Sequence, residues 1–128
     1  YVAIKCQDLG VLTNSLVLCM FMIDGGELSL SSQTELFNAI TGWNWSPAQM
    51  LEVGERGFTV QRLLNLRDGY GAATDVLPRK MRQVAQEGFR AGKAIPFEAL
   101  MQDYYALRGW DASGAPTPAT LARLGLSA

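Results

Sequence analysis

The 128-residue sequence predicts an all-α fold, with several helices forming one domain over residues 1–128. Apolar side chains recur at spacings of three and four residues along most of the chain, which is the period of a helix face. Ser-Pro and Thr-Pro pairs stand where helices begin, and glycines stand where they end. No segment alternates apolar and polar residues with the period of a β-strand.

An apolar stripe with helical spacing opens the chain. Its members are Leu9, Leu12, Leu16, Cys19 and Ile23. The spacing predicts a continuous first helix that carries Cys19 on its apolar face and ends at Gly25-Gly26. A shorter helix is predicted from Thr34 to Ile40, closing at Gly42.

A long helix is predicted from Ser46 to about Leu66. Ser46 is suited to accept hydrogen bonds from the first free backbone N–H groups, and Pro47 suits the first helical position. Gly54 and Gly57 lie inside this helix, where each costs about 1 kcal/mol relative to alanine. Their presence predicts the close approach of another backbone.

Three further helices complete the expected architecture. The first runs from about Arg79 to Glu87, and the second opens at Pro96. The predicted apolar face of this second helix consists of Phe97, Leu100, Met101, Tyr104 and Leu107. The last helix is capped by Thr117, begins at Pro118 and stops at Gly125.

Charge and composition exclude several classes of protein. The formal net charge is −1, which gives no overall attraction to nucleic acid. A basic segment between residues 79 and 93 is either a solvated face or a docking patch for an acidic partner. It consists of Arg79, Lys80, Arg82, Arg90 and Lys93.

No apolar run reaches the roughly 18 residues of a membrane span, and no signal peptide is visible. Two cysteines fit a reducing compartment, so we expect a cytoplasmic protein.

The residue types present also limit the chemistry. The chain contains no histidine, which excludes Ser-His-Asp and Cys-His nucleophiles and the common zinc sites. Cys6 and Cys19 are 13 residues apart, or about 20 Å along a continuous helix, and a protein-held 4Fe–4S cluster needs four thiolates. Cys19 is therefore either a core residue or a metal ligand, and its spacing alone favours the core.

The blocks that resemble a known family lie in order along nearly the whole chain. The segment DYYALRGWDASGAPTPATLARLGL, residues 103–126, resembles the C-terminal signature of the aldehyde ferredoxin oxidoreductase family of tungsten enzymes. Similar blocks precede it: QDLGVLTNSLVLCMF at 7–21, ITGWNWSPAQMLEVGER at 40–56 and LLNLRDGYGAATDVLP at 63–78. The resemblance implies the C-terminal helical domain only, a fragment of a larger oxidoreductase.

The Arg-Gly-Trp-Asp block also has a direct physical interpretation. Arg108 and Asp111 flank Gly109-Trp110, so we expect an arginine–carboxylate pair to clamp a tight turn around a buried indole. This is a structural role rather than a catalytic one, and the sequence predicts no catalytic residue.

A cofactor site is implied by the resemblance at the opening stretch. Enzymes of this family carry an Asp-x-x-Gly-Leu-Cys motif whose cysteine binds a 4Fe–4S cluster beside a tungsten bis-pterin. The matching positions run from Asn14 to Cys19, so the resemblance makes Cys19 the metal ligand. It places Asn14 against the pterin, together with the backbone around Leu18 and Met20. Asn14 replaces the aspartate and Val17 replaces the glycine, and both changes weaken the expected pterin contacts.

The function implied by the resemblance is the oxidation of aldehydes to carboxylic acids, with electrons passing through the cluster to a ferredoxin-like carrier. The remaining cluster cysteines, the tungsten or molybdenum bis-pterin and most of the substrate pocket would belong to N-terminal domains of the same enzyme. We expect the isolated chain to be inactive and to hold no stable cluster. The alternative is a cofactor-free helical interaction module that kept the fold and lost the chemistry, which the changes at Asn14 and Val17 favour.

Overall fold

The computed structural model describes residues 1–89 and 91–127, and within them six α-helices form. They are α1 (Val2–Ser15), α2 (Met20–Asp24), α3 (Leu30–Thr41), α4 (Pro47–Arg67), α5 (Phe97–Arg108) and α6 (Pro118–Arg123). Within these ranges no β-strand forms, and Trp110 and Pro116 make an isolated antiparallel bridge. The all-α prediction is confirmed. No helix of the described ranges is both long enough and apolar enough to cross a membrane.

The helix starts predicted at Ser46-Pro47 and Thr117-Pro118 are confirmed by their capping bonds, whereas the helix predicted to start at Thr34 begins at Leu30. At α4 the Ser46 hydroxyl accepts from the Gln49 N–H at 3.3 Å, and the Gln49 amide oxygen accepts from the Ser46 N–H at 2.8 Å. This reciprocal pair is a capping box. At α6 the Thr117 hydroxyl accepts from the Thr120 N–H at 3.3 Å. Each cap provides a partner for a backbone donor that the first helical turn leaves free.

The helix predicted from Arg79 to Glu87 is wrong beyond its first turn. A single 3-10 helix covers Arg79–Arg82, and residues 83–87 are not helical. Met81 and Val84 are exposed, so this segment has no apolar face to bury against the rest of the protein. Short helices depend on such burial for most of their stability. Arg90 of the basic segment lies outside the described residues.

The prediction for α5 gave the right helix and part of its buried face, since Phe97, Met101 and Tyr104 are half-buried. Leu100 and Leu107, which were expected to point inward, are more than half exposed. Tyr105 and Arg108 are buried instead. The reason is that Arg108 has a buried carboxylate partner on α1, and this pairing sets the rotation of α5 about its axis.

The most extensive helix packing joins α1 to α4. A Cβ atom added to Gly54 would lie 2.1 Å from the Asp8 carbonyl oxygen, and one added to Gly57 would lie 2.7 Å from a Val11 methyl carbon. Both distances are below any van der Waals contact. The prediction of close backbone approach is confirmed at Gly54, whereas Gly57 makes room for the Val11 side chain instead.

A buried ion pair joins α5 to α1. Arg108 Nη1 donates to Asp8 Oδ1 at 2.6 Å, and both side chains are 1% exposed. The other terminal nitrogen donates to Gln7 Oε1 at 2.8 Å, and the guanidinium lies 4.3 Å from the centre of the Phe58 ring. Burial raises the pKa of the Asp8 carboxyl, and the hydrogen bond from Arg108 opposes that rise.

The predicted pair between Arg108 and Asp111 is therefore wrong. Asp111 Oδ1 accepts instead from the Ser113 N–H at 2.8 Å and from the Ala115 N–H at 3.1 Å, which stabilises the turn after Trp110. A bond from the Ser113 hydroxyl, together with these backbone bonds, lowers the pKa of Asp111. The turn is closed by its own carboxylate because Asp111 and the backbone N–H groups are neighbours in sequence.

A second polar cluster holds this turn against α4. Arg62 donates to both carboxylate oxygens of Asp75, at 3.1 and 2.7 Å, and its Nε donates to the Gly114 carbonyl at 2.8 Å. The Tyr105 hydroxyl donates to Asp75 at 2.5 Å. Burial alone would raise the pKa of Asp75, but the bonds from Arg62 and Tyr105 outweigh it and the pKa is lowered. Burial and the bond to Asp75 raise the pKa of Tyr105 to about 12.

Candidate metal-ligand site at Cys19

The segment before Cys19 is a helix end rather than the continuous helix that the apolar spacing predicted. The Val17 N–H donates to the Asn14 carbonyl at 3.1 Å, and the Leu18 N–H donates to the Thr13 carbonyl at 3.1 Å. These two bonds form a Schellman motif, in which the residue after the C-cap adopts the left-handed conformation. Here that residue is Val17, with φ of 58°. Sequence periodicity missed the end of α1 because a valine stands where a glycine is usual.

Cys19 follows this turn and caps α2. Its backbone is extended, its carbonyl accepts from the Met22 N–H at 3.1 Å, and its thiol makes no capping bond. The side chain is exposed, as is that of Cys6 in the middle of α1. The interpretation of Cys19 as a core residue on an apolar stripe is therefore wrong. A free, exposed thiol on an ordered turn is available to bind something outside this chain.

The other residues predicted to contact a cofactor lie beside Cys19. Asn14 is exposed in the last turn of α1, Leu18 is half-buried in the connecting turn, and Met20 is exposed as the first residue of α2. Val17 and Phe21 expose 91% and 84% of their surface. The thiol therefore lies on an apolar surface, and large exposed apolar surfaces typically mark contacts with another molecule or domain.

A buried hydrogen bond fixes this turn to α3. The Thr13 hydroxyl donates to Gln33 Oε1 at 3.4 Å, and Thr13 and Gln33 are 0% and 1% exposed. Thr13 is also the residue whose carbonyl accepts the Leu18 N–H. Sequence analysis missed both side chains, because polar residues in helices are read as solvent-facing unless a partner is known. No signal in the sequence pairs them.

An aromatic turn follows α3 on the same side of the molecule. The Asn38 side chain donates to the Trp45 carbonyl at 2.8 Å and accepts from the Trp45 N–H at 3.0 Å. The Phe37, Trp43 and Trp45 rings lie 5.0–5.5 Å apart, within the range of favourable aromatic pairs. This cluster makes the end of α3 rigid, and Phe37 also lines a cavity behind Leu18.

Comparison with known proteins identifies the family. A sequence model described as "aldehyde ferredoxin oxidoreductase, domains 2 & 3" matches residues 1–126. The chain belongs to the aldehyde ferredoxin oxidoreductase family. The resemblance stated from sequence is therefore confirmed.

Curated relatives in this family are tungsten-containing aldehyde ferredoxin oxidoreductases. The Pyrococcus furiosus enzyme is 33% identical over 123 residues, covering 94% of this chain and 20% of the relative. The Thermococcus kodakarensis enzyme is 34% identical over 110 residues, covering 84% of this chain and 18% of the relative. The Pyrococcus horikoshii enzyme is 33% identical over 122 residues, with 94% and 20% covered. The chain thus spans about a fifth of the length of these relatives.

The thiol of Cys19 fits the role of one ligand in a metal centre of this family. It is free and exposed at the start of α2, and it makes no capping bond, so it is open to groups from outside the described residues. Over residues 1–89 and 91–127, no three side chains of the His, Cys, Asp or Glu type come together as a metal site. A metal ion at Cys19 would therefore need ligands from outside that part of the chain.

Proposed function

We propose that this chain is the C-terminal helical domain of a tungsten- or molybdenum-pterin enzyme that oxidises aldehydes to carboxylic acids. In this enzyme Cys19 binds a 4Fe–4S cluster through its thiolate. The observation that carries the proposal is the position of the Cys19 thiol, exposed directly after a Schellman turn and at the motif position of the family. When bound, the metal centre and cluster supply a two-electron oxidation whose electrons leave singly to a ferredoxin-like carrier.

The residues around Cys19 have distinct roles in this proposal. Asn14 would offer the pterin an amide acceptor and donor without the charge of an aspartate, so its bond to pterin nitrogens would be weaker than an aspartate's. The backbone on either side of Cys19, at Leu18 and Met20, would form part of the pterin wall. Exposed Val17 and Phe21 keep water from the cluster once the domains are joined. Burial of this kind tunes the reduction potential of a cluster.

The partner of this surface is the N-terminal part of the same enzyme, which supplies the other cluster cysteines and most of the substrate pocket. The match to domains 2 & 3 of the family supports this arrangement, since those domains belong to a longer protein. Both cysteines of the chain are free thiols, which suits a reducing compartment, and we place the enzyme in the cytoplasm. The chain by itself is proposed to be inactive.

The test compares two serine variants of the longer enzyme that contains this chain. Cys19→Ser is expected to lower the iron content per protein and to abolish or alter the electron paramagnetic resonance signal of the reduced cluster. Cys6→Ser is the matched control, because Cys6 is also a free, exposed cysteine but lies on α1 away from the motif. Aldehyde-dependent dye reduction should fall with Cys19→Ser and persist with Cys6→Ser. A Cys19→Ser enzyme with full iron content and an unchanged signal would contradict the proposal.

The competing function is a cofactor-free interaction module, and one observation favours it. Val17 occupies the left-handed position with its side chain 91% exposed, where the family motif has a glycine and leaves room for a cofactor. In that case the apolar surface around Cys19 would bind another protein. The metal content of the longer protein distinguishes the two functions. Iron and tungsten or molybdenum in stoichiometric amounts support the enzyme, and metal-free folded protein with both serine variants unchanged supports the module.

A further inference from the structure

Thr13, in the last turn of α1, makes two hydrogen bonds that run in different directions. Its carbonyl accepts from the N–H of Leu18, the residue before Cys19, at 3.1 Å. Its hydroxyl donates to Gln33 Oε1 on α3 at 3.4 Å. Thr13 and Gln33 are 0% and 1% exposed. One buried residue therefore connects the turn before Cys19 to a neighbouring helix.

The hydroxyl bond of Thr13 differs from those of three other helical threonines. A threonine hydroxyl in a helix commonly donates to the carbonyl one turn earlier. Thr34, Thr41 and Thr59 do so, each at 2.8 Å. The Thr13 hydroxyl instead has its acceptor 20 residues later in the chain. This bond therefore fixes α1 relative to α3, whereas the other three bonds stay within one helix.

The pairing of Thr13 with Gln33 is not explained by stability alone. Gln33 Nε2 is buried and has no hydrogen-bond partner in the described ranges. A buried donor without a partner costs free energy, and this cost offsets the gain from the bond to Thr13. An apolar side chain of the same length would avoid the cost. The bond therefore specifies where the end of α1 lies more than it stabilises the fold.

We propose that Thr13 and Gln33 are positioning residues for the Cys19 thiolate. The Gln33 amide holds Thr13, the Thr13 carbonyl holds the Leu18 N–H, and the ligand is the next residue. Groups that hydrogen-bond around a metal ligand fix its direction and so tune the metal centre. This inference rests on the proposed function, because it requires Cys19 to bind the cluster.

A Gln33→Met variant separates positioning from stability. Methionine keeps the length of the side chain and removes both the acceptor for Thr13 and the unpaired donor. The free energy of unfolding, measured with urea, should therefore stay close to that of the unmodified chain. The Leu18 amide should nevertheless exchange its hydrogen about tenfold faster, relative to amides in the middle of α5, because one restraining hydrogen bond is lost. NMR of the 128-residue chain measures this ratio.

A matched set of threonine variants locates the effect. Thr13→Val removes the hydroxyl and should raise the same exchange ratio, whereas Thr13→Ser keeps the hydroxyl and should restore it. Thr59→Val is the control, because Thr59 is also buried but donates within α4. In the longer enzyme, Thr13→Val and Gln33→Met should change the electron paramagnetic resonance signal of the reduced cluster. Thr13→Ser and Thr59→Val should leave that signal unchanged.

The positioning role and the proposed function fail on different results. An unchanged signal in Cys19→Ser would remove the cluster ligand itself, and the positioning role would fall with it. A changed signal in Cys19→Ser, with an unchanged signal in both Thr13→Val and Gln33→Met, would overturn the positioning role alone. An exchange ratio at Leu18 that neither variant raises, or that Thr59→Val raises equally, would also overturn it.

Discussion

Replacing Val17 by glycine should stabilise the protein. Val17 has φ of 58°, a conformation that costs an L-residue about 1–2 kcal/mol. Its side chain is 91% exposed, so removing it sacrifices almost no buried surface. Glycine adds about 0.4–1 kcal/mol of conformational entropy to the unfolded chain, which offsets part of the gain. The net increase in the free energy of unfolding should be about 0.5–1 kcal/mol.

The assay is urea unfolding of the 128-residue chain followed by tryptophan fluorescence, with the slope against urea compared between variants. Val76→Gly is the matched control, because Val76 is also an exposed loop valine but does not have positive φ. This control should lose about 0.4–1 kcal/mol. Val17→Ala should fall between the unmodified chain and Val17→Gly. If Val17→Gly is no more stable than Val76→Gly, the argument from backbone strain is refuted.

Three other predictions concern the buried core. Arg108→Met should cost about 3–5 kcal/mol in unfolding free energy, because it leaves a buried carboxylate unpaired, and adding Asp8→Leu should recover most of that loss. Gly54→Ala should destabilise by about 3 kcal/mol through its clash with the α1 backbone, whereas Gly10→Ala, with open space around its Cβ, should stabilise by about 0.5–1 kcal/mol. Tyr105 should titrate near pH 12 by absorbance at 295 nm, compared with an ordinary pKa of 10.0. Since its folded pKa is raised, its contribution to stability is full below pH 10.0 and is lost as the pH rises through about 12.

Each of these predictions has a clear contrary result. A double variant no more stable than Arg108→Met would show that the unpaired charge is not the source of the loss. Equal effects of the two alanine substitutions would mean that α1 and α4 are not in close contact at Gly54. If Tyr105→Phe is the only tyrosine substitution that removes the 295 nm change near pH 12, the titration is assigned to Tyr105. If all the tyrosines titrate near pH 10, the assignment is contradicted.

The elements that sequence predicts well are those whose signals are local. Ser46-Pro47 and Thr117-Pro118 specify their helix starts because a cap bonds to backbone N–H groups only two or three residues away. Gly42 ends α3 for a similarly local reason, since glycine adopts its positive φ without strain. All-α architecture follows from a series of such local signals, so the fold class could be stated without knowing any tertiary contact.

The errors came from interactions between distant residues or from a local rule that was broken. Arg108 was assigned to a neighbour in the next turn, although its partner, Asp8, is 100 residues earlier, and no spacing rule indicates such a pair. The end of α1 was missed because Val17 continues the apolar pattern while adopting a conformation that glycine normally provides. At the candidate site, the resemblance to a family made Cys19 a candidate ligand, whereas Thr13 and Gln33 emerged only from the three-dimensional contacts.

The ion pair between α1 and α5 also constrains the order in which the chain folds during synthesis. Helices α1 and α4 can associate as soon as residue 67 has emerged, but the carboxylate between them has no counter-ion until residue 108 follows. Until then Asp8 must keep its water or take up a proton, so the first helix pair stays loosely packed. Full burial of the Asp8 carboxylate beside α4 therefore has to wait until α5 supplies Arg108.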